Sequence, residues 1–144
     1  MNVKEERKRL RKLFREVKEN ALKDEEHEIN LRIIGSNNDN SPNPKYTPPG
    51  RTTYDYNSGE KIIILNREIT RHLSNEAVKG LIAHEIAHFF SRRWKEIARK
   101  NPKEKSIIFD QSEREADHWA KSKGFETEVK RAREEISKII RKKS

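Results

Sequence analysis

The stretch GLIAHEIAHFF, Gly80 to Phe90, is the most apolar helix candidate in the sequence and constrains the fold more than any other segment. A helix ringed by leucine, isoleucine, alanine and phenylalanine has to be covered. Yet the chain is 40% charged and only 31% hydrophobic. The core must therefore be small, and the long helices can bring only single apolar stripes to it. Periodicity in several segments still argues against wholesale disorder, and a length of 144 residues predicts one domain spanning 1–144.

Upstream, Leu10, Leu13, Phe14, Val17, Ala21 and Leu22 fall at helical spacing within Val3–Leu22, a helix that needs something to pack on. Glu28–Ile34 alternates Ile29, Leu31 and Ile33 with polar neighbours and is expected to be a strand. Residues 35–50, rich in Asn, Pro, Gly and Ser, are expected to form a mobile loop of the length usually kept for a flap. RTTYDYNSGEKIIILN is expected to be a hairpin turning at Asn57-Ser58-Gly59. Its polar arm, Arg51–Tyr56, suits an edge; the apolar run Ile62–Leu65 suits a central strand covered on both faces.

Ser74 or Asn75 is expected to cap a helix running to about Lys100, where NPKEK breaks it. A further helix is expected from Asp110 or Ser112 to Gly124. The segment 125–144 makes a last helix with Val129, Ala132, Ile136, Ile139 and Ile140 on its apolar side. The predicted class is α+β: a backing helix, a small mixed sheet of about three strands, and three further helices.

Within the central helix, His84 and His88 are four residues apart and so project side by side, one turn apart, with Glu85 beside them. Two imidazoles held in this way can bind one zinc ion, and a glutamate there can take the proton of a water that the metal activates. Burying these three groups without partners would be costly; a metal satisfies them. A catalytic zinc needs three protein ligands and one open position. Cysteine is absent, so the third ligand must be His, Asp or Glu. The metzincin pattern fails, because Ser91 and Trp94 stand where it needs glycine and histidine. His27, His72 and His118 have no supporting context.

The stretch SEREADHWA is the better source. Glu113 and Asp117 are four apart on one helical face, with Ala116 and Ala120 leaving room for close packing. Glu113 can supply a carboxylate oxygen, and Asp117 can accept a hydrogen bond from the outer ring nitrogen of a ligating histidine. Glu115 lies about 200° around the helix from Glu113 and is expected to face away and be solvated.

HExxH followed by a second helix carrying Glu-x-x-Ala-Asp resembles the gluzincin zinc peptidases, and the small size is most similar to the archaeal minigluzincins. The resemblance covers about Leu10 to Gly124 in element order, and motif identity is confined to Ala83–Phe90 and Glu113–Ala120. It implies a minimal zincin fold and a zinc-dependent endopeptidase. His84, His88 and Glu113 would be the ligands, Glu85 the general base and Asp117 the residue that orients a histidine. It also implies that the edge strand, here Arg51, Thr52, Thr53, Tyr54, Asp55 and Tyr56, pairs with extended substrate. Minigluzincins are known as latent forms, which implies a C-terminal segment able to obstruct the cleft. Larger gluzincins have an extra downstream domain that donates a His, Tyr or Arg to the transition state. With about twenty residues after Gly124, the candidates here are Tyr54, Tyr56 and Arg114.

The charged N-terminal residues do not resemble a secretory signal, and no run approaches the roughly 20 apolar residues of a membrane span. A cytoplasmic protein is the expectation. The net charge of +9 is mostly interleaved with glutamate, the pattern of solvated helix faces, which disfavours nucleic acid as the partner; the resemblance implies a peptide or protein substrate. Two alternatives stay open: a regulatory peptidase similar to those that cleave phage-type repressors, and a basic nucleic-acid-binding protein with a structural or vestigial zinc site. A homodimer stays open as the assembly.

Overall fold

The first helix, α1 (Val3–Ala21), begins where the Asn2 side chain accepts a hydrogen bond from the Glu5 N–H at 2.9 Å. Its stripe of Leu10, Leu13, Phe14, Val17 and Ala21 is buried as the spacing predicts. The structure is a computed structural model and describes residues 2–23, 28–35, 48–55, 57–90 and 102–143. Most of the predicted loop 35–50, and Tyr56 of the predicted edge strand, lie outside the described residues.

Three strands follow, β1 (Ile29–Ile34), β2 (Gly50–Tyr54) and β3 (Lys61–Asn66), in the spatial order β1-β3-β2. β3 pairs in parallel with β1 and antiparallel with β2, so the sheet is mixed and β3 is central. One face carries the row Leu31, Ile63, Thr52; the other carries Arg32, Ile64, Arg51. Ile63 and Leu65 are fully buried, whereas Ile62 and Ile64 are only half-buried. The expectation of a central strand covered on both faces is thus corrected. One face of β3 is packed and the other is partly open.

The hairpin turn is built by Asp55, whose Oδ1 accepts from the Asn57 and Ser58 N–H groups at 2.8 and 3.3 Å. Gly59 sits at φ +75, in the region that favours glycine. Asp55 therefore belongs to the turn rather than to the edge strand, and β2 starts one residue earlier than predicted.

After the short helix α2 (Arg67–Thr70) comes α3 (Asn75–His88), which is buried on nearly every side. Ser74 caps it, its oxygen accepting from the Ala77 N–H. The α-helix ends at His88 rather than near Lys100. Phe89 and Phe90 close it with i→i−3 bonds to Ile86 and Ala87, and residues 91–101 lie outside the described set. The next helix, α4 (Pro102–Ser122), begins eight or more residues before the predicted start at Asp110 or Ser112. Pro102 opens it, a position where proline's missing N–H costs nothing, so the apparent breaker is a start signal. Gly124, at φ +92, ends it: Phe125 donates to the Ala120 carbonyl and Gly124 to that of Lys121, with Phe125 buried. The last helix, α5 (Glu126–Lys143), buries Val129 and Ala132 but leaves Ile140 61% exposed, so its apolar stripe runs out earlier than predicted.

The described residues thus form an α+β fold of five helices and a three-stranded mixed sheet. No helix among them is long and apolar enough to cross a membrane. Two contacts hold α3 in place. Arg9, paired with the buried Glu6, donates to the Thr70 and Leu73 carbonyls and to Asn75 Oδ1, tying α1 to the start of α3. From the other side α5 lies so close that a methyl group on Gly80 would collide with the Glu128 carbonyl and the Val129 nitrogen.

Gly80→Ala is expected to lower stability by about 2 kcal/mol in denaturant unfolding, although helix propensity alone would raise it by about 1. A second test concerns Glu135 of α5, which accepts from both the N–H and the hydroxyl of Ser74 at 2.8 and 2.7 Å. Burial raises its pKa, but the Ser74 bonds and then Arg131 outweigh that and hold it below the usual 4.5. A depressed carboxylate stabilises the fold above its unfolded pKa and stops doing so as pH falls through the folded value. Glu135→Gln should therefore cost about 1 kcal/mol at pH 7, and the gap to wild type should close as the pH falls below 4.5.

Candidate metal centre

Gly80, His84 and His88 form one stripe along α3. α5 covers its beginning and α4 covers the two histidines. The imidazoles stand edge to face, 4.7 Å between centroids, with their Nε2 atoms 3.1 Å apart. Glu113 of α4 reaches both: Oε2 lies 2.8 Å from His84 Nε2 and Oε1 3.0 Å from His88 Nε2. The fully buried Ala116 and Ala120 on the same helix allow that approach.

The outer ring nitrogens are also engaged. Asp117 Oδ1 lies 2.9 Å from His84 Nδ1, and Ser112 Oγ lies 3.3 Å from His88 Nδ1. The second oxygen of Asp117 pairs with Arg133 of α5. An ionised carboxylate only accepts, so His84 carries its proton on Nδ1 and, when neutral, turns a lone pair inward. That lone pair meets the His88 Nε2 and Glu113 Oε2. These groups can share protons among themselves or take a metal ion in their place. The same field acts on Glu113. Burial alone would raise its pKa, but hydrogen bonds from His84 and His88, and their positive charge, hold it far below the ordinary range.

Glu85 lies on the next face of α3 and is 7% exposed. The ligand atoms of His84, Glu85 and His88 all fall within 4.8 Å of one another, so this group can hold a metal ion. Glu85 Oε2 accepts from the Thr52 hydroxyl at 2.6 Å. A cleft of about 390 Å³ opens over these groups, between β2, α3 and α4, and is lined by His84, Glu85, His88, Phe89, Ser112 and Glu113.

Of the predicted edge strand, Arg51, Thr52 and Tyr54 line this cleft. Thr53 does not. Asp55 serves the turn, and Tyr56 is outside the described residues. Tyr54 is also the only predicted transition-state donor that the described residues bring to the cleft. Arg114 lines a separate cavity with Phe90 and Trp119, and Glu115 lines it too: away from the centre as predicted, but half-buried rather than solvated. Among the described residues none from α5 lines the cleft, so the helix expected to obstruct it lies behind Asp117 instead. His72 and His118 are exposed and outside the cluster; His27 is not among the described residues.

Sequence reasoning missed three contributors: the Thr52 hydroxyl, Ser112 and Arg133. Ser112 directly precedes Glu113 and was within reach of the helical pattern. Nothing in the order of residues marks Arg133, one of 33 basic side chains.

Metal titration against a chelating indicator is expected to show binding lost in Glu113→Ala and weakened about 10–100-fold in Asp117→Ala. His118→Ala should bind as wild type does; the reverse pattern would overturn the assignment.

No family model matches the chain, and neither a curated protein nor a solved structure matches it, so what the centre does has to be read from its own residues.

Proposed function

We propose that this chain is a zinc-dependent endopeptidase with a minimal zincin fold of the gluzincin type. The observation that carries the reading is the convergence of His84 Nε2, His88 Nε2 and both Glu113 oxygens at the floor of a cleft, with the buried Glu85 beside them. Two imidazoles and one carboxylate suit zinc, and they leave the fourth position that a catalytic zinc keeps open. When bound, zinc lowers the pKa of a water towards about 7 and polarises a carbonyl.

The chain's own residues supply the rest. Glu85 accepts the proton of the attacking water and passes it to the leaving amine. Asp117, held by Arg133, fixes the tautomer of His84, so that its inner nitrogen always offers a lone pair. β2 supplies the track for the substrate. The bonds Asp55 N–H to Glu60 O and Asn66 N–H to Pro49 O mark the paired positions of the β2–β3 ladder. By alternation Arg51 and Thr53 point their main-chain groups at β3, while Gly50 and Thr52 point theirs away, at an edge that no other described strand covers, beside the cleft. An extended peptide can add to such an edge through its own main chain. Gly50 also lets the strand sit on α3: a Cβ there would lie 2.9 Å from Leu81 Cδ1 and 3.1 Å from Glu85 Cγ.

A closed structural site is the competing reading, because the Glu85 carboxylate is near enough to serve as a fourth ligand. One variant separates the two. With an unfolded protein as substrate, wild type should hydrolyse it, lose activity to a chelator and regain it with added zinc. Glu85→Gln should keep the zinc and lose hydrolysis by at least about 10²-fold. Loss of zinc from Glu85→Gln, with no hydrolysis by wild type, would establish the structural site instead.

A further inference from the structure

On the inner face of the sheet the row Leu31, Ile63, Thr52 is apolar until its last member, which places a hydroxyl against α3. That hydroxyl has two acceptors, both on one residue: Glu85 Oε2 at 2.6 Å and the Glu85 carbonyl oxygen at 2.8 Å. Its single proton serves one of them at a time. The ionised carboxylate is the stronger acceptor, and 2.6 Å is the length of a charge-assisted O–H···O⁻ bond. Among the described residues Thr52 is the only hydrogen-bond donor to the Glu85 side chain, which is otherwise nearly buried. A buried carboxylate with no donor is costly and free to turn, so this one bond decides where the second oxygen points.

We propose that Thr52 is the positioning residue for Glu85, holding one carboxylate oxygen so that the other faces the histidines. The inference rests on the reading of Glu85 as the general base. Valine would suit a strand at least as well as threonine, so local preference does not account for a hydroxyl here. The placement adds a coupling. The main-chain groups of Thr52 face the outer edge of β2 while its side chain holds the base. A peptide seated along that edge therefore immobilises the same residue that orients Glu85. Substrates long enough to pair with Gly50 and Thr52 gain most from the arrangement.

The test compares Thr52→Val with Thr52→Ser. Thr52→Val removes the donor and keeps the shape; Thr52→Ser keeps the donor. Expected for Thr52→Val is a fall in kcat of about 10–100-fold on a long unfolded substrate, KM within about twofold, and zinc affinity unchanged. Thr52→Ser should recover kcat to within about threefold of wild type. A second readout needs neither zinc nor turnover. The Glu85 side-chain carboxyl ¹³C resonance, assigned by its loss in Glu85→Gln and read at pH 7 in metal-free protein, should move in Thr52→Val and stay in place in Thr52→Ser. Unchanged kcat in Thr52→Val, failure of the serine variant to recover it, or a matching fall in zinc affinity would each overturn the inference. If wild type shows no chelator-sensitive hydrolysis, the peptidase reading fails by itself. The carboxyl resonance then decides whether Thr52 holds Glu85, and an unmoved signal in Thr52→Val overturns that too.

Discussion

Glu113 touches the inner nitrogens of His84 and His88 with one oxygen each, and this three-way contact sets the separation of α3 and α4. The groups that meet there are acceptors or shared-proton donors, and shared protons or a metal ion relieve their mutual repulsion. Everything around them restrains that convergence. Asp117 and Ser112 hold the outer nitrogens, so neither ring is free to turn its inner nitrogen away. Arg133 holds Asp117 from α5, which joins the last helix to the centre without placing it in the cleft.

Such restraint demands a rigid α3, and the core provides it. Val78, Ile82 and Ile86, four residues apart, are fully buried along one face, and Ala77, Ala83 and Ala87 are buried on the others. The covering helices α1 and α5 are amphipathic but polar overall, with apolar residues on one narrow stripe each. Their stability comes from packing on α3 rather than from intrinsic preference. The Glu6–Arg9 pair and Glu135 act at the ends of this arrangement, where helix termini would otherwise leave backbone groups unsatisfied. The sheet contributes one packed face, and its outer described strand, β2, borders the cleft.

Much of this was legible in the sequence because it repeats on a helical or strand period. Four-residue spacing puts His84 with His88 and Glu113 with Asp117, and alternation separates β1 from the central run of β3. The apolar positions of α1 follow in the same way. What period cannot show is which surfaces meet. The Thr52–Glu85 bond joins residues 33 positions apart and exists only because β2 lies across α3. The Arg133–Asp117 pair depends on where α5 returns after Gly124. Local signals also misled where their meaning depends on context. Pro102 breaks a helix in its interior but starts one at its first turn, and the Ile62–Leu65 run looks doubly covered although one of its faces is only half-buried. Asp55 alternates like a strand residue, yet its side chain closes the turn.

The centre is most directly tested by a crystal structure of the zinc-loaded protein with anomalous scattering recorded across the zinc edge. The account predicts one ion, ligated by His84 Nε2, His88 Nε2 and Glu113, with Glu85 still bonded to Thr52 and the remaining position open to the cleft. An ion closed off by Glu85 as a fourth ligand, or no ion between the two histidines, would contradict it.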